Sequence, residues 1–220
     1  MNRSDPDDPP THPHAFDRQY WEQHWSDPSA IAAADGTPPN PYLAEAVRGR
    51  TPATALDAGC GTGTEAIRLA RDGWTVTGAD ISAGALATAE ERAARAGVAE
   101  RITWVEADLT TWEPDARWDL VVTHYAHPEI APSAFVERLA GWVAPGGTLL
   151  VVTHRHDPSG AEHPPEATAD AIELASRLDP TVWRIDAAEP RHRPHPVGGD
   201  RPPLRDVVVR ATRTRSAESA

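Results

Sequence analysis

Residues 55–70, ALDAGCGTGTEAIRLA, constrain this chain more than any other stretch. An apolar run containing Asp57 passes into Gly59, Gly61 and Gly63, and the glycines lead straight into a helical pattern. Strand, glycine turn and helix in that order bring backbone N–H groups and a helix N-terminus to one point, where a small anion-bearing or dipolar molecule can be held. The acid in front of the loop narrows the choice of ligand.

The pattern around the loop gives the fold class. Expected strands are TALDA, TVTGA ending at Ala79, ITWVEA ending at Ala107, DLVVTH ending at His124 and TLLVVTH ending at His154. Between them lie the helical runs GTEAIRLARDG, SAGALATAEERAARAG with Ser82 as N-cap, and PSAFVERLAGWVAPGG closed by glycines. This alternation predicts an α/β protein of βαβ units with a mostly parallel sheet. Farther on, after the polar loop RHDPSGAEHPP, a helix EATADAIELASRL is expected. TVWRIDAAE and RDVVVRATR, joined without a helix, predict a closing antiparallel pair. Upstream, FDRQYWEQHW reads as an aromatic helix, SDPSAIAAADGTPPN as a linker and PYLAEAVRG as a short helix. The acidic, proline-rich residues 1–14 read as a disordered arm.

Composition removes several chemistries. The chain has 220 residues, 40% of them hydrophobic, which suits one globular domain. Its single cysteine, Cys60, excludes an internal disulfide and any multi-cysteine metal motif. All 21 basic residues are arginines, so neither a Schiff-base lysine nor the lysine of the phosphate-binding G-x-x-x-x-G-K-[ST] loop is present. The net charge of −12 disfavours nucleic acid and favours a small-molecule partner. With no signal-peptide or membrane-spanning run, the expectation is a cytoplasmic protein without a membrane partner.

Two ligands compete for the loop. A dinucleotide fingerprint G-x-G-x-x-G counted from Gly59 needs glycine at position 64, which is Thr64. A pyrophosphate on the helix N-terminus would also face Asp57. S-adenosylmethionine fits better, since it offers an ammonium to the acid, a carboxylate to the N–H groups and a cationic sulfonium between them. Asp80, about twenty residues after Gly59, is placed for a ribose, and Asp108 for the adenine amino group. Three acids at three successive strand ends suit a cation better than a polyanion.

With LDAGCGTG, GWTVTGADIS, EADL, WDLVVTH and VAPGGTLLVV in that order, the chain resembles the class I S-adenosylmethionine-dependent methyltransferases over about residues 40–212. LARDGWTVTGADIS is most similar to the thiopurine and tellurite-resistance types, which act on small molecules. The resemblance implies a Rossmann-like seven-stranded sheet of order 3-2-1-4-5-7-6 with strand 7 antiparallel and helices on both faces. It also implies a helical cap at 15–50, a methyltransferase domain at 51–214 and a tail at 215–220. Residue by residue, Asp57, Gly59, Gly61 and Gly63 would line the methionine end, with the N–H groups near Cys60 and Thr62. Asp80 and Ile81 would hold the ribose, Asp108 and Leu109 would flank the adenine, and Thr123 and His124 would lie beside the methyl group. Tyr20, Trp21 and Trp25 would close over the cofactor, unless their helix merely packs on the sheet. S-adenosylhomocysteine would be the product. THYAHP replaces the Asp/Asn-Pro-Pro-aromatic signature of enzymes that methylate nucleobase amino groups.

Methyl transfer to a proton-bearing acceptor calls for positioning and a base. His124 and His127 follow the fourth strand, and His154 and His156 the fifth. His192, His195 and arginines of the loop PRHRPHPVGGDRPP can add to the wall. His124 and His127 are the candidate catalytic bases, with Tyr125 third; a metal site or solvated loop histidines are the alternatives, and no metal is assigned. Six of the eight tryptophans, Trp74, Trp104, Trp112, Trp118, Trp142 and Trp183, belong with the scaffold. A non-catalytic cofactor-binding scaffold and a nicotinamide oxidoreductase remain as other readings.

Overall fold

The structure is a computed structural model that describes residues 16–155, 168–194 and 203–215. The expected arm at 1–14, His156, His195 and all but the first residue of the tail at 215–220 lie outside the described residues.

Among the described residues three helices precede the sheet, each started by a side-chain cap. The Asp17 carboxylate accepts the Tyr20 N–H at the head of α1 (Arg18–Ser26), and Asp27 accepts the Ser29 N–H at α2 (Pro28–Gly36). Asn40 accepts the Tyr42 N–H at α3 (Pro41–Val47). The expected linker at 26–40 is therefore largely helix α2. Asp27 followed by Pro28 opens a helix, because a first-turn proline loses no helical hydrogen bond.

The alternating segment forms β1 (Thr54–Ala58), α4 (Thr64–Arg71), β2 (Thr75–Asp80), α5 (Ala83–Arg95), β3 (Ile102–Glu106), β4 (Trp118–His124), α6 (Pro132–Gly141) and β5 (Val143–Arg155). It is followed by β6 (Thr168–Ala169), α7 (Ala171–Ala175), β7 (Trp183–Arg193) and β8 (Leu204–Arg213). The sheet order is β3-β2-β1-β4-β5-β8-β7, the expected order once the two-residue β6, paired with β5, is set aside. Among the described strands β8 alone runs against the direction of the rest, pairing Val151 with Val209 and Ala188 with Val209.

Three boundaries differ from expectation. VAPGG is the start of β5 and not the end of a helix, and the register slips between Trp118 and Leu120 to absorb it. Of the helix expected over 166–178, residues 166 and 167 lie outside the described residues, and among the rest the α-helix spans Ala171–Ala175, where Asp170 caps the Ile172 and Glu173 N–H groups. TVWRIDAAE continues through Pro190 to Arg193, which carries β7 up to the site.

Strand alternation sorts the core onto two faces. Leu56, Val121, Leu149, Val151 and Val209 pack on one face, with Phe135 and Leu139 of α6. Ala55, Leu120, Val122, Leu150 and Val152 pack on the other, with Leu69 of α4 and Leu43 of α3. Trp74, Trp118, Trp142 and Trp183 are buried, while Trp104 and Trp112 pack at the core margins. Because β1 lies between β2 and β4, chain connections diverge on either side of it, and ligands of open α/β sheets bind at such a point beyond the carboxyl ends.

Candidate active site

The loop Gly59–Gly63 turns at the carboxyl end of β1 and walls a cavity of about 450 Å³, the size of a small-ligand pocket. Close approach dictates glycine in this loop. At Gly59, with φ +75°, an added Cβ would stand 2.3 Å from the Ala126 Cβ, and at Gly61, with φ +50°, it would stand 2.9 Å from the Trp25 ring. The loop is tied down by its own amides: Gly59 and Cys60 N–H both donate to Ala79 O, and Gly61 N–H donates to Asp80 Oδ2 at 2.7 Å. The Cys60 N–H is thus spent within the protein, whereas no partner is placed on that of Thr62 among the described residues.

Asp57 is buried on the wall of this cavity, and its Oδ2 accepts the Ala66 N–H of the first turn of α4 at 3.0 Å. An internal carboxylate therefore already occupies the helix end on which a pyrophosphate would sit. Burial, with the Glu65 and Asp80 charges alongside, pushes the Asp57 carboxyl well above the usual carboxylate range. Burial likewise raises Asp80, partly offset by the Ser82 and Gly61 N–H groups that it accepts. Asp108 lies on the same cavity; its Oδ1 accepts Thr110 N–H and the Thr110 hydroxyl.

The N-terminal helices lie over the donor half through polar contacts. Glu22 accepts the Ala83 and Gly84 N–H groups and the Ser82 hydroxyl, capping α5 from outside. Arg18 donates to Ile81 O at 2.7 Å and pairs with Glu106. Asp35 of α2 pairs with Arg92 at 2.7 Å, and Arg92 also donates to Thr62 O. These tethers place Trp21, His24 and Trp25 on the cavity wall.

Beyond β4, His124 and His127 line the cavity. Both ring nitrogens of His124 are buried with no hydrogen-bond partner. Burial lowers the His124 pKa, and the Arg193 charge acts in the same direction against those of Glu65 and Asp206. His127 and Tyr125 both stack on the His154 ring, at centroid distances of 5.6 and 4.6 Å. The Tyr125 hydroxyl donates to the buried Asp206 at 2.7 Å and accepts from Arg193 Nη2 at 2.8 Å and from Asn40 Nδ2 at 3.4 Å. Burial and the Asp206 charge raise its pKa.

Most of the residues expected from sequence meet here: Asp57, Gly59, Cys60, Gly61, Thr62, Asp80, Ile81, Asp108, Leu109, Trp25, His124, Tyr125 and His127 all border the cavity. Three expected residues stand off the cavity. Gly63 does not border it; this glycine caps α4 and an added Cβ would meet the Trp104 ring at 2.7 Å. Tyr20 turns into a ring cluster with Phe16 and Trp21. Thr123 lines a small neighbouring void between β4, β5 and α6, its hydroxyl unpartnered. Tyr125 borders the cavity with its hydroxyl hydrogen-bonded to the buried Asp206. His192 is exposed on β7. Sequence reasoning missed Asn40, Glu65 and Arg193 on the wall; Glu65 follows the glycine loop directly, and Arg193 was covered only by a general expectation of arginines. Among the described residues no group of three or more potential ligands is gathered for a metal.

An open, mostly parallel α/β sheet with acids at three successive strand ends around one cavity defines a Rossmann-like small-ligand protein. Residues 55–147 match the family model described as a methyltransferase domain. An uncharacterised methyltransferase of Mycobacterium tuberculosis is 48% identical over 101 residues, which cover 44% of this chain and 49% of that protein. The chain thus spans about half the length of such relatives. N-methyltransferase NodS of Bradyrhizobium japonicum, solved with S-adenosylhomocysteine, has a TM-score of 0.68 at 17% identity, covering 89% of this chain and 97% of its own. The 1,6-didemethyltoxoflavin-N1-methyltransferase of Burkholderia thailandensis has a TM-score of 0.65 at 22% identity, covering 94% and 93%. At those identities the likeness is one of fold. Residues 55–147 thus resemble a methyltransferase domain, set within a fold shared with enzymes solved with S-adenosylhomocysteine.

Proposed function

We propose that the protein transfers the methyl group of S-adenosylmethionine to an O, N or S atom of a small-molecule acceptor, with His124 as the base. The observation that carries this reading is the buried His124 imidazole, whose two nitrogens lack partners on the wall of a cavity lined elsewhere by acids. A buried polar group is left unsatisfied at a cost of about 1–3 kcal/mol, and a ligand that hydrogen-bonds it recovers that cost.

The residues present fit the cofactor. Asp57 and Glu65 offer negative charge for an ammonium, while Thr62 offers a backbone N–H for a carboxylate. Asp80 and Asp108 each retain acceptor capacity for ribose hydroxyls and an adenine amino group, and Trp25 closes against the Gly61 backbone. When bound, S-adenosylmethionine supplies an electrophilic methyl group on a sulfonium.

The chain's own contribution is to hold donor and acceptor in line, which is worth roughly 7–11 kcal/mol, and to take a proton where the acceptor carries one. His124 is neutral at neutral pH because burial disfavours its charged form. In that form one ring nitrogen carries a proton and the other is free to accept one. His127 shapes the same wall beside the buried Phe16 ring, 5.5 Å away, as the surface against which an acceptor is positioned. The fold likeness to an enzyme whose substrate is a toxoflavin precursor supports a small-molecule acceptor. The −12 net charge and the sequence THYAHP after β4 weigh against nucleic acid.

The test is incubation of the protein with methyl-labelled cofactor and a metabolite extract, followed by identification of the labelled product. A labelled small molecule is expected; cofactor binding without transfer to any component would favour the scaffold reading.

A further inference from the structure

Arg193 ends β7 on the cavity wall, with only 15% of its side chain exposed. Its Nε donates to Asp206 Oδ2 at 2.8 Å and its Nη2 to the Tyr125 hydroxyl at 2.8 Å. Asp206 is itself 1% exposed, and Tyr125 is stacked on His154. The guanidinium is thus held rigidly by one edge, while Nη1 has no hydrogen-bond partner among the described residues. A planar fork fixed in this way is matched to a two-oxygen anion, which it can bind bidentately.

The charge pattern around the cavity gives this edge a direction. Of the arginines on the wall, Arg18 is spent on Ile81 O and Glu106 at the β2–β3 side, among the donor-end acids. Arg193 stands instead at the β4 side, bonded to the residue that follows His124. Phe16, Trp21, Ala126 and Pro128 supply apolar wall around the same cavity. An acceptor here meets a cation, an imidazole and apolar wall within one cavity.

We propose that Arg193 anchors the acceptor, and that the acceptor is a small organic carboxylate with an apolar or aromatic body whose reacting atom lies away from the anchored group. This rests on the reading of the cavity as a methyl-transfer site. Arg193 acts in binding, and Tyr125 and Asp206 act through it as positioning residues.

The test uses the full chain saturated with S-adenosylhomocysteine and titrated calorimetrically with phenylacetate and, separately, with phenylacetamide, which has the same shape without the charge. Removing Arg193 alone would strand Asp206 as a buried unpaired charge, so the variant is Arg193→Gln combined with Asp206→Asn. The expected result is that wild type prefers the carboxylate at least tenfold, and that the double variant loses this preference while holding S-adenosylhomocysteine within twofold. Equal affinity of the two probes for wild type, binding of neither, or an unchanged preference in the variant overturns the anchor. A failure of S-adenosylhomocysteine itself to bind is read in its own titration and counts against the methyltransferase reading instead.

Discussion

The Tyr125 hydroxyl donates to the Asp206 carboxylate at 2.7 Å, joining the end of β4 to β8 across a strand that lies between them. Tyr125 also sits at φ 56°, the left-handed region that side chains other than glycine rarely adopt. Its ring stacking on His154 and three hydrogen bonds at the hydroxyl hold it there.

Tyr125→Phe should therefore act on stability before chemistry. Asp206 loses the Tyr125 donor and keeps Arg193 Nε, at a cost of about 1–3 kcal/mol, and each kcal/mol lowers Tm by roughly 2–4 °C in a chain of this size. Thermal denaturation gives the shift, and the pH dependence of turnover should keep its shape. A lost basic or acidic limb would mark Tyr125 as a proton carrier.

Asp57→Asn should move stability and affinity in opposite directions. The folded pKa of Asp57 lies above its unfolded value, so the folded state binds the proton more tightly. Its contribution is present at low pH and is lost as pH rises from the ordinary aspartate range through the raised value. At neutral pH the amide should stabilise the ligand-free protein while weakening S-adenosylmethionine binding by about 1–3 kcal/mol. Paired thermal melts with and without cofactor measure both; loss of stability in the ligand-free variant would contradict the assigned burial penalty.

His124 titrates in the other sense. Its folded pKa is lowered from 6.5, so the unfolded chain takes up the proton first and stability falls as pH drops below 6.5 toward the folded value. Turnover should likewise decline only below the ordinary histidine range. His124→Ala should lower kcat by about 10²-fold or more, with cofactor affinity nearly unchanged. Full activity in this variant would remove His124 as the base.

Gly59→Ala is expected to abolish cofactor binding and to destabilise the fold. The new methyl group would enter at 2.3 Å from the Ala126 Cβ, and its φ of +75° strains any side chain. Gly97→Ala, also at positive φ but in open space, separates the two effects: it should show only the milder backbone strain and should bind cofactor normally.

The sheet was legible because its signals are local and repeated. Apolar runs such as LVVT and LLVVT are buried on both faces, and each is set off by a glycine turn or a capped helix. Asp57, Asp80 and Asp108 could be placed for the same reason, since a strand end fixes where its last side chains emerge. Helix α2 was missed because its Pro, Ser and Asp content reads as linker, although Asp27 and Pro28 form a helix start. Arg193 was illegible as an individual residue: only long-range packing of β7 against β8 brings it to Tyr125, 68 positions earlier. The tether between Glu22 and the start of α5 was hidden likewise, because a cap supplied by another helix leaves no spacing rule in the sequence.

The most direct test of the central claim is calorimetric titration of the purified chain with S-adenosylmethionine and, separately, with NAD. The account predicts one-to-one binding of S-adenosylmethionine, tighter than NAD and weakened by about 1–3 kcal/mol in Asp57→Asn. Tighter binding of NAD, or an Asp57→Asn variant that binds S-adenosylmethionine as wild type does, would contradict it.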